Sequence, residues 1–337
     1  MKTLLFTIAL TSTLVASSLQ QEARNFGLTS IPESKTELYK LIDNSKNPIT
    51  DAKVSLGKML FFDPRLSRSG FISCNSCHNL AMGGGDNLPA AVGHKWTVNP
   101  HHLSSPTVYN AVFSSSQFWD GRDPDLEKQA QGPIQAGPEM AATKSHVEAV
   151  VNSMPGYKKA FKHAYGQDVK IDFEKVTDTI ATFERTLVTP SRYDKFLRGC
   201  DKALSSDEKE GLKTFIKVGC VSCHNGIALG GEMQGFALTA KYKYENIGDF
   251  RGNKNGLVKV PTLRNIAQTA PYFHNGAVKT LQEAIVEMGR IQLGVAVSSD
   301  EAESIEIFLK SLTGKKPYLG KVILPDASDT TPKPNLN

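Results

Sequence analysis

The spacing of apolar residues along this chain of 337 residues predicts a mainly helical protein. In most periodic segments an apolar side chain recurs every three or four positions, which is the period of an amphipathic helix. Ser205 and Glu208 form the capping-box pattern of a helix start, and Gly289 predicts a helix end. The predicted helices cover residues 35–43, 51–62, 144–154, 157–165, 173–187, 205–219, 280–288 and 298–312.

Two long segments, residues 71–106 and 225–279, lack this period and are rich in glycine, which predicts irregular loops. The first contains CNSCH at residues 74–78, and the second follows CVSCH at residues 220–224. C-x-x-C-H is the pattern that attaches a c-type haem: two thiols one helical turn apart add to the two vinyl groups, and the histidine ligates the iron. The expected haem-binding residues are Cys74, Cys77, His78, Cys220, Cys223 and His224.

Zinc and disulfide bonds are the alternative uses of such cysteine pairs. A structural zinc site needs four ligands close together, whereas the pairs at 74–77 and 220–223 lie far apart along the chain. A disulfide would leave the histidine after each pair without a role. The repeated motif therefore favours two covalently bound haem c groups. The fifth cysteine, Cys200, is expected to be a free thiol.

Two haem motifs in a chain of this length predict two domains of the cytochrome c type, with one haem in each. Thr189-Pro190 follows the last predicted helix of the first half and marks the expected boundary. We expect a first haem domain at residues 19–188, a second at residues 189–316, and a C-terminal tail at residues 317–337 that packs on the first domain.

The first residues have the pattern of an export signal. Lys2 supplies the positive charge, residues 4–16 form a short, mostly apolar run, and small residues stand at positions 16–18. We therefore expect a signal peptide at residues 1–18 and a periplasmic mature protein. The run is too short to span a bilayer comfortably, and no other long apolar run predicts a membrane span.

The charge of the chain argues against one class of partner. The formal net charge is +5, and no basic run stands out along the chain. Nucleic-acid binding needs such a run or patch, so we expect no nucleic-acid partner.

The second axial ligand of each iron decides its chemistry, because a strong ligand suits electron transfer and an open position suits catalysis. Met288 lies at a helix end well downstream of His224, from where its thioether can reach the far face of that haem, whereas Met233 follows His224 too closely to do so easily. For the first haem, His94 follows Gly93 in a flexible loop, which suits a ligand that can leave. The alternatives are core packing for either methionine and a surface position for His94.

Short sequence blocks between Leu56 and Leu312 resemble those of the bacterial di-haem cytochrome c peroxidases. The matching blocks are LGKMLFFDPRLSRS, SCNSCHN, VGHKW, SPTVYNAV, QFWDGR, GPIQ, TLVTP, GCVSCHNG, LRN, TAPYFHNG, EMGRIQLG and FLKSLTGK. The resemblance covers nearly the whole mature chain.

The resemblance implies an enzyme that reduces hydrogen peroxide to water. Peroxide would react at a low-potential haem in the first domain. Electrons would come from a small donor protein, such as a cytochrome c, through a high-potential haem in the second domain. We also expect a homodimer.

Single residues in these blocks match functional residues of the family. His94 matches the distal ligand of the peroxidatic haem, and Met288 matches that of the electron-transfer haem. Glu139 matches the catalytic acid–base glutamate, Gln129 an active-site glutamine, and Trp119 the tryptophan between the haems. Without the resemblance, Glu139 would be a solvated loop carboxylate and Trp119 a core residue. The two further matches close to the haems are Arg264 and His274.

The resemblance also implies a calcium ion at the domain interface. Its backbone ligands would match Thr269 and Pro271, and its usual asparagine ligand falls on Ser104. Serine is a weaker, uncharged calcium ligand. The loop from His94 to Ser104 is longer than the family pattern, so Asn99 is a possible substitute.

Two rival functions stay open at this point. A plain di-haem electron carrier would hold both irons with two strong ligands, and Glu139 beside a releasable His94 argues against it. The tryptophan-modifying di-haem enzymes resemble the same fold but use tyrosine as the second distal ligand, and Met288 argues against them.

Overall fold

The computed structural model describes residues 18–235 and 238–337, so the signal peptide expected at residues 1–18 lies outside the described part except for its last residue. The described protein is mainly α-helical, as predicted. Its helices are α1 (Leu19–Asn25), α2 (Lys35–Ile42), α3 (Asp51–Phe62), α4 (Cys74–Cys77), α5 (Leu126–Gln129), α6 (Gln131–Gln135), α7 (Lys144–Ser153), α8 (Pro155–Tyr165), α9 (Phe173–Arg185), α10 (Arg192–Leu197), α11 (Ser206–Val218), α12 (Leu281–Met288) and α13 (Ser299–Lys310). Two short strands, β1 (Met233–Gly235) and β2 (Leu257–Lys259), pair antiparallel. None of the helices in these residues is long and apolar enough to cross a membrane.

Side-chain caps determine where several helices begin. The Ser205 hydroxyl accepts a hydrogen bond from the amide of Glu208 at 3.2 Å, and the Glu208 carboxylate accepts one from the Ser205 amide at 2.8 Å. These bonds satisfy amides that the first turn of α11 leaves without a partner. The helix ends at Gly219, whose φ of 97° is a left-handed conformation that glycine adopts without strain. Both ends of α11 agree with the prediction from the sequence.

The first hydrophobic core forms where α3 crosses α9. Gly57 in α3 lets the two backbones approach closely, because a Cβ at that position would overlap the carbonyl oxygen of Thr179 in α9. Helices α7 and α8 close the same core with the buried side chains of Val150 and Tyr157. Cys74 packs against this core, so the first haem motif is attached to it.

The second hydrophobic core forms where α11 crosses α13. A Cβ on Gly211 would overlap the carbonyl oxygen of Ser304, so glycine again permits the close crossing. The rings of Phe215 and Phe308 lie 5.4 Å apart at their centroids between the two helices. Cys220 packs against this core and attaches the second haem motif to it.

Helix α1 packs with the second core, although the division drawn from the sequence counts it with the first domain. Ala23 is a buried member of the second core. Arg24 donates a 2.7 Å hydrogen bond to the carbonyl of Leu197 at the end of α10. The amide of Gly226, just after the second motif, donates to the carbonyl of Gly27 at 3.0 Å. The apolar and backbone partners of this segment therefore lie in the second half of the chain.

The C-terminal tail runs back over the first core. Lys58 in α3 donates a 2.6 Å hydrogen bond to the carbonyl of Leu319, and Arg65 donates a 2.8 Å bond to that of Pro325. Since the tail forms no helix, side chains of the first half satisfy these two of its carbonyls.

The helix that was expected to stop at Gly289 continues as a π-helical turn, Gly289–Leu293. Gly289 has a helical φ of −56°, and a Cβ there would overlap the side chain of Val297. Glycine at this position is therefore required for packing, and the end comes at Gly294, where φ is 67°. The strands β1 and β2 also lie in a segment predicted to be irregular, since three residues are too few to show a strand period.

Candidate functional site

The first C-x-x-C-H motif forms the single turn of α4 and presents His78 from its end. The Ser73 amide donates a 3.0 Å hydrogen bond to the Ser76 hydroxyl and helps to cap this turn. The His78 Nδ1 lies 3.0 Å from the carbonyl oxygen of Pro106. A ring nitrogen facing a carbonyl carries the proton, so Nε2 is the unprotonated nitrogen that an iron can bind. Burial lowers the pKa of His78 and favours this neutral form.

The second motif repeats the arrangement on a different local backbone. A short turn, Cys220–Ser222, follows Gly219, and His224 comes directly after the motif's second cysteine. The His224 Nδ1 lies 3.1 Å from the carbonyl oxygen of Leu229. Burial lowers the pKa of His224 to about 4, so the imidazole is neutral near pH 7 and its Nε2 is available to a metal.

Arg264 stabilises the loop that follows His224. Its guanidinium forms two hydrogen bonds with Asp194, at 3.0 and 2.8 Å, and both side chains are fully buried. Its Nε also donates to the carbonyl of Ile227. Loss of one partner from such a buried pair leaves the other charge uncompensated. The structure therefore places Arg264 beneath the second haem loop as a support.

One continuous cavity connects the two motifs, and its wall is largely apolar. The motif residues in the wall are Cys77, His78, Cys220, Cys223 and His224. The other expected site residues in the wall are Gln129, Glu139, Trp119 and Met288. Among the described residues, Cys74 and His94 are not part of it. Two cysteine pairs, two neutral imidazoles and an apolar wall fit two covalently bound haem groups.

His94 is tied to the backbone of the Glu139 turn. The His94 amide donates a 2.7 Å hydrogen bond to the carbonyl of Glu139. Gly93, which does line the cavity, brings the two segments together, because a Cβ there would overlap Pro138 and Glu139. The His94 imidazole is buried, and its Nδ1 has no hydrogen-bond partner among the described residues. Burial lowers the pKa of His94, which keeps the ring neutral and able to bind a metal.

Glu139 lies in the turn that follows α6, where it is half-buried. Burial raises the pKa of its carboxyl, and the nearby Arg122 partly opposes this shift. The acid therefore keeps its proton to a higher pH than an exposed glutamate does. An acid that both holds and releases a proton inside the cavity is suited to acid–base work.

Trp119 joins the two halves of the chain. Its Nε1 donates a 3.1 Å hydrogen bond to the carbonyl of Ser104, and its own carbonyl accepts a 2.9 Å bond from the amide of Lys259 in β2. The indole and the His274 ring meet edge to face, with centroids 6.4 Å apart. Trp119 therefore lies in the wall of the cavity that both motifs share and is bonded to segments from both halves of the chain.

The two candidate methionines differ in what they contact. Met288 is the last residue of α12 and lines the cavity that holds the second motif. The Met233 sulfur instead packs against Gly121, where a Cβ would lie 2.5 Å from it. The geometry therefore favours Met288 over Met233 as a partner for the iron at His224.

A buried acid and a buried lysine in the described cavity wall were not predicted from the sequence. Glu184 in α9 is 5% exposed, and burial raises the pKa of its carboxyl to about 8. Lys259 in β2 is 9% exposed, and burial lowers the pKa of its ammonium group to about 8. Glu184 stands four residues after Ile180 and eight after Val176, a spacing that places it on the apolar face of α9. Lys259 gives no comparable signal, because its strand is too short for a pattern.

The side chains expected to bind calcium are already engaged. The Ser104 hydroxyl lies 3.2 Å from the carbonyl oxygens of both Phe273 and His274. The side-chain oxygen of Asn99 accepts a 3.0 Å hydrogen bond from the amide of His101. Groups of three or more histidine, cysteine or acidic side chains placed to hold a metal ion are absent from the described residues. An oxygen-rich site here would depend on carbonyl groups.

Comparison with known proteins extends these observations. The family described as di-haem cytochrome c peroxidase matches residues 51–202. The cytochrome c551 peroxidase of Nitrosomonas europaea is 50% identical, over 82% of this chain and 85% of that protein. The cytochrome c551 peroxidase of Pseudomonas aeruginosa is 45% identical, over 90% of this chain and 89% of that protein.

Solved structures share the fold. A MauG-like protein associated with microbial copper homeostasis superposes with a TM-score of 0.70 at 26% identity, covering 81% of this chain and 92% of that protein. The mainly helical fold with two cytochrome c-like halves, as expected from the sequence, is thereby confirmed. By its matched residues and its identity to both peroxidases, this chain belongs to the di-haem cytochrome c peroxidase family.

Proposed function

We propose that this protein reduces hydrogen peroxide to water with electrons from a small donor protein such as a cytochrome c. The observation that carries the proposal is the single cavity walled by both haem motifs and by Glu139. Peroxide reduction needs a redox group and a positioned acid at one place. Two relatives named cytochrome c551 peroxidase, at 50% and 45% identity, support the same substrate and donor class.

The proposed iron ligands give the two haem sites different roles. Each haem, when bound, supplies the redox chemistry, while the protein supplies ligands, protons and access. His78 and His224 offer Nε2 to the irons because their Nδ1 atoms face carbonyl oxygens. The Met288 thioether would favour the reduced iron and raise the potential of the second site. That site is therefore the one proposed to receive electrons.

Glu139 and Gln129 are the proposed catalytic side chains of the first site. Both line the cavity that His78 also lines. Glu139 moves a proton from one peroxide oxygen to the other, which then leaves as water, and its raised pKa supports this exchange. Gln129 orients peroxide through its amide, which can donate and accept hydrogen bonds.

His94 is the proposed releasable ligand of the first iron. Lys95 and Trp96, which follow it, have φ values of 56° and 59°, in the left-handed region. Each such residue costs on the order of 1–3 kcal/mol and persists only where its surroundings impose it. Strain next to the ligand supports a segment with two conformations, one with His94 on the iron and one with it removed.

Trp119 is the proposed link for electrons between the two haems. It contacts both halves of the chain, through Ser104 on one side and Lys259 on the other. An aromatic ring between two redox groups shortens each transfer step.

We further propose one calcium ion between the two halves. Thr269, Pro271 and Asn87 line the same cavity, and the first two would contribute backbone carbonyls. The Asn87 Oδ1 is buried without a hydrogen-bond partner in the described part of the chain. Because calcium takes amide oxygens, Asn87 is a better side-chain candidate than Ser104. Calorimetric calcium titration of chelator-treated protein should show weaker binding in Asn87→Ala and unchanged binding in Ser104→Ala; the opposite order would restore Ser104.

We further propose that the protein is periplasmic and forms a homodimer. A signal peptide at residues 1–18 would direct the chain to the periplasm, where the two domains, at 19–188 and 189–316 with the tail 317–337, would act as a homodimer. Intact mass should show the chain without its signal and with two haems. Light scattering should give twice that mass, and a monomer would contradict the dimer.

Turnover distinguishes the peroxidase from an electron carrier. Reduced cytochrome c and hydrogen peroxide are mixed with the doubly haem-loaded protein, and cytochrome oxidation is followed by its absorbance. A peroxidase oxidises two cytochromes per peroxide, because peroxide takes up two electrons. Rapid haem reduction without any peroxide-dependent turnover would instead identify a carrier.

A further inference from the structure

Glu184 is a buried acid in the cavity wall for which the mechanism above has no role. Its side chain is 5% exposed, and its Oε2 has no hydrogen-bond partner among the described residues. Its charge acts on the thiol of Cys74, whose pKa it helps to raise, so it lies beside the first motif. The first-domain wall residues Val108, Ala111 and Leu126 offer no side-chain donor to it.

In the described part of the chain, no cation compensates the charge of Glu184. Arg185, the next residue, donates to the carbonyl of Asn47 and lies 3.6 Å from the carboxylate of Glu127 in α5. Glu127 is thereby partnered, and its negative charge raises the pKa of Glu184 further. A second carboxylate close by makes ionisation of Glu184 still less favourable.

The other elements around α9 bring no partner either. Lys53 of α3 donates to the side chain of Asn47 and to the carbonyl of Pro48. Glu148 of α7 accepts from the amide of Phe173 at the opposite end of α9. The turn Ala111–Phe113 carries no ionisable side chain. The thiol of Cys74 no longer ionises once it is joined to haem.

Burial therefore determines whether the Glu184 carboxyl is protonated. It raises the pKa of Glu184 to about 8, so the carboxyl is protonated at neutral pH and ionises just above it. A haem in the cavity adds an apolar surface and keeps the acid away from water. A glutamine or leucine would fill the same space without the desolvation cost of an acid. A packing role alone gives no reason for an ionisable group here.

We propose that Glu184 is a proton-holding residue of the first haem site, which takes up a proton when that haem is reduced and releases it when the haem is oxidised. One electron arrives from the donor protein and one proton from solvent, so the net charge of the site does not change. In a low-dielectric interior, charges interact far more strongly than in water. An added electron therefore favours the neutral acid, and its removal favours the carboxylate.

This coupling meets a need of the proposed reaction. Peroxide takes up two electrons and two protons to form two waters, and Glu139 only moves a proton between the two oxygens. Once pH approaches or exceeds the Glu184 pKa of about 8, the oxidised form has room for a proton. There, a residue that binds a proton with each electron at the first site supplies part of the remaining demand. The inference rests on the first motif carrying a haem, as the proposed function requires, but its test does not use peroxide.

The test is a redox titration of the doubly haem-loaded protein at a series of pH values, followed by the absorbance of the first haem. In the wild type, the reduction equilibrium should fall as pH rises through the ionisation of Glu184, approaching tenfold per pH unit, which is 59 mV for one electron. Glu184→Gln should remove this slope and keep the potential that the wild type has at acid pH. Glu127→Gln should shift the sloping region to lower pH, because it removes a negative neighbour.

A control variant and a direct measurement of proton uptake test the same inference. Glu174→Gln, on the exposed side of the same helix, should titrate as the wild type does. In the wild type itself, reduction of the first haem at about pH 9, where the Glu184 carboxyl of the oxidised form is mostly ionised, should take up close to one proton, measured with a pH indicator dye. A wild-type potential that is flat from about pH 6 to about pH 10, the absence of proton uptake, or an unchanged slope in Glu184→Gln would each overturn the inference.

Discussion

The backbone amide of His94 donates a 2.7 Å hydrogen bond to the backbone carbonyl of Glu139. The bond joins the proposed releasable ligand to the proposed acid, and Gly93 presses the same two segments together. One such bond contributes only about 0.5–1.5 kcal/mol, so it can break when the loop moves. While it holds, the position of His94 and that of Glu139 are determined together.

Gly93→Ala should disturb both residues at once. The added methyl group would overlap the carbonyl oxygen of Pro138 and lie 2.6 Å from that of Glu139. The two segments would have to separate, and a displacement of this kind costs on the order of a hundredfold in turnover. Steady-state oxidation of reduced cytochrome c measures the loss, while the spectrum of the second haem should not change.

Gly137→Ala is the matched control for that variant. It adds the same methyl group in the same turn, but a Cβ on Gly137 meets nothing within 4 Å. It should therefore keep wild-type turnover. If Gly93→Ala also keeps it, the close contact between the two segments has no part in catalysis.

Glu139→Gln should keep both haems and lose most turnover. The amide preserves the shape of the side chain but cannot exchange a proton, and loss of an acid–base group slows a reaction by roughly a hundredfold or more. The decisive measurement is peroxide turnover at equal haem content. Glu174→Gln, which changes an exposed glutamate, should be fully active. Near-normal turnover in Glu139→Gln would remove this residue from the mechanism.

Met288→His should lower the potential of the second haem. A thioether favours ferrous iron more than an imidazole does, so the exchange favours ferric iron. Redox titration in the α band measures the shift, and the first haem should keep its potential. Met233→Leu serves as the control, because the Met233 sulfur packs against Gly121. If the potential of the second haem shifts in Met233→Leu and not in Met288→His, Met233 is the ligand of that iron and Met288 is not.

The parts of the fold that depend on local chemistry follow from the sequence. The start of α11 is encoded by Ser205 and Glu208, and its end by Gly219, all within or next to the helix itself. The haem motifs are equally local, because two cysteines and a histidine in five residues define the attachment. Neighbours in sequence therefore carry the information that these predictions require.

The features of the fold and the site that depend on residues far apart along the chain could not be predicted from the sequence. Gly289 has the composition of a helix stop, but its small size serves the contact with Val297. Ser104 is a plausible calcium ligand until the fold brings the carbonyls of Phe273 and His274 to its hydroxyl. Glu184 can be placed on the apolar face of α9, but its lack of a partner depends on side chains from other elements.

Glu184 should also make the stability of the protein depend on pH. Its pKa is about 8 in the folded protein against 4.5 for an ordinary glutamate. Between these values the folded state holds a proton that the unfolded chain has lost, so the free energy of unfolding falls as pH rises. The slope is at most about 1.4 kcal/mol per pH unit. The melting temperature of Glu184→Gln relative to wild type should therefore rise from pH 5 to pH 8, and parallel curves would contradict this account.

His94→Gly should remove the need for prior reduction. If His94 occupies the first iron in the oxidised enzyme, peroxide reacts slowly until reduction of the second haem favours the open arrangement. Movement of His94 would relieve the strained backbone at Lys95 and Trp96 and would break the backbone bond to Glu139. Without the imidazole, the iron is open at once. Stopped-flow mixing of fully oxidised protein with peroxide should then show prompt reaction in His94→Gly and slow reaction in wild type.

His102→Gly separates the loss of a ligand from the loosening of the loop. His102 lies in the same loop with a φ of 51°, so glycine fits its backbone and adds comparable freedom without removing His94. It should react as slowly as the oxidised wild type. Equal and fast reaction in all three proteins would mean that His94 does not block the first iron. The enzyme would then rest with the haem of Cys74 and His78 already accessible to peroxide, and reduction of the second haem would supply electrons without changing access.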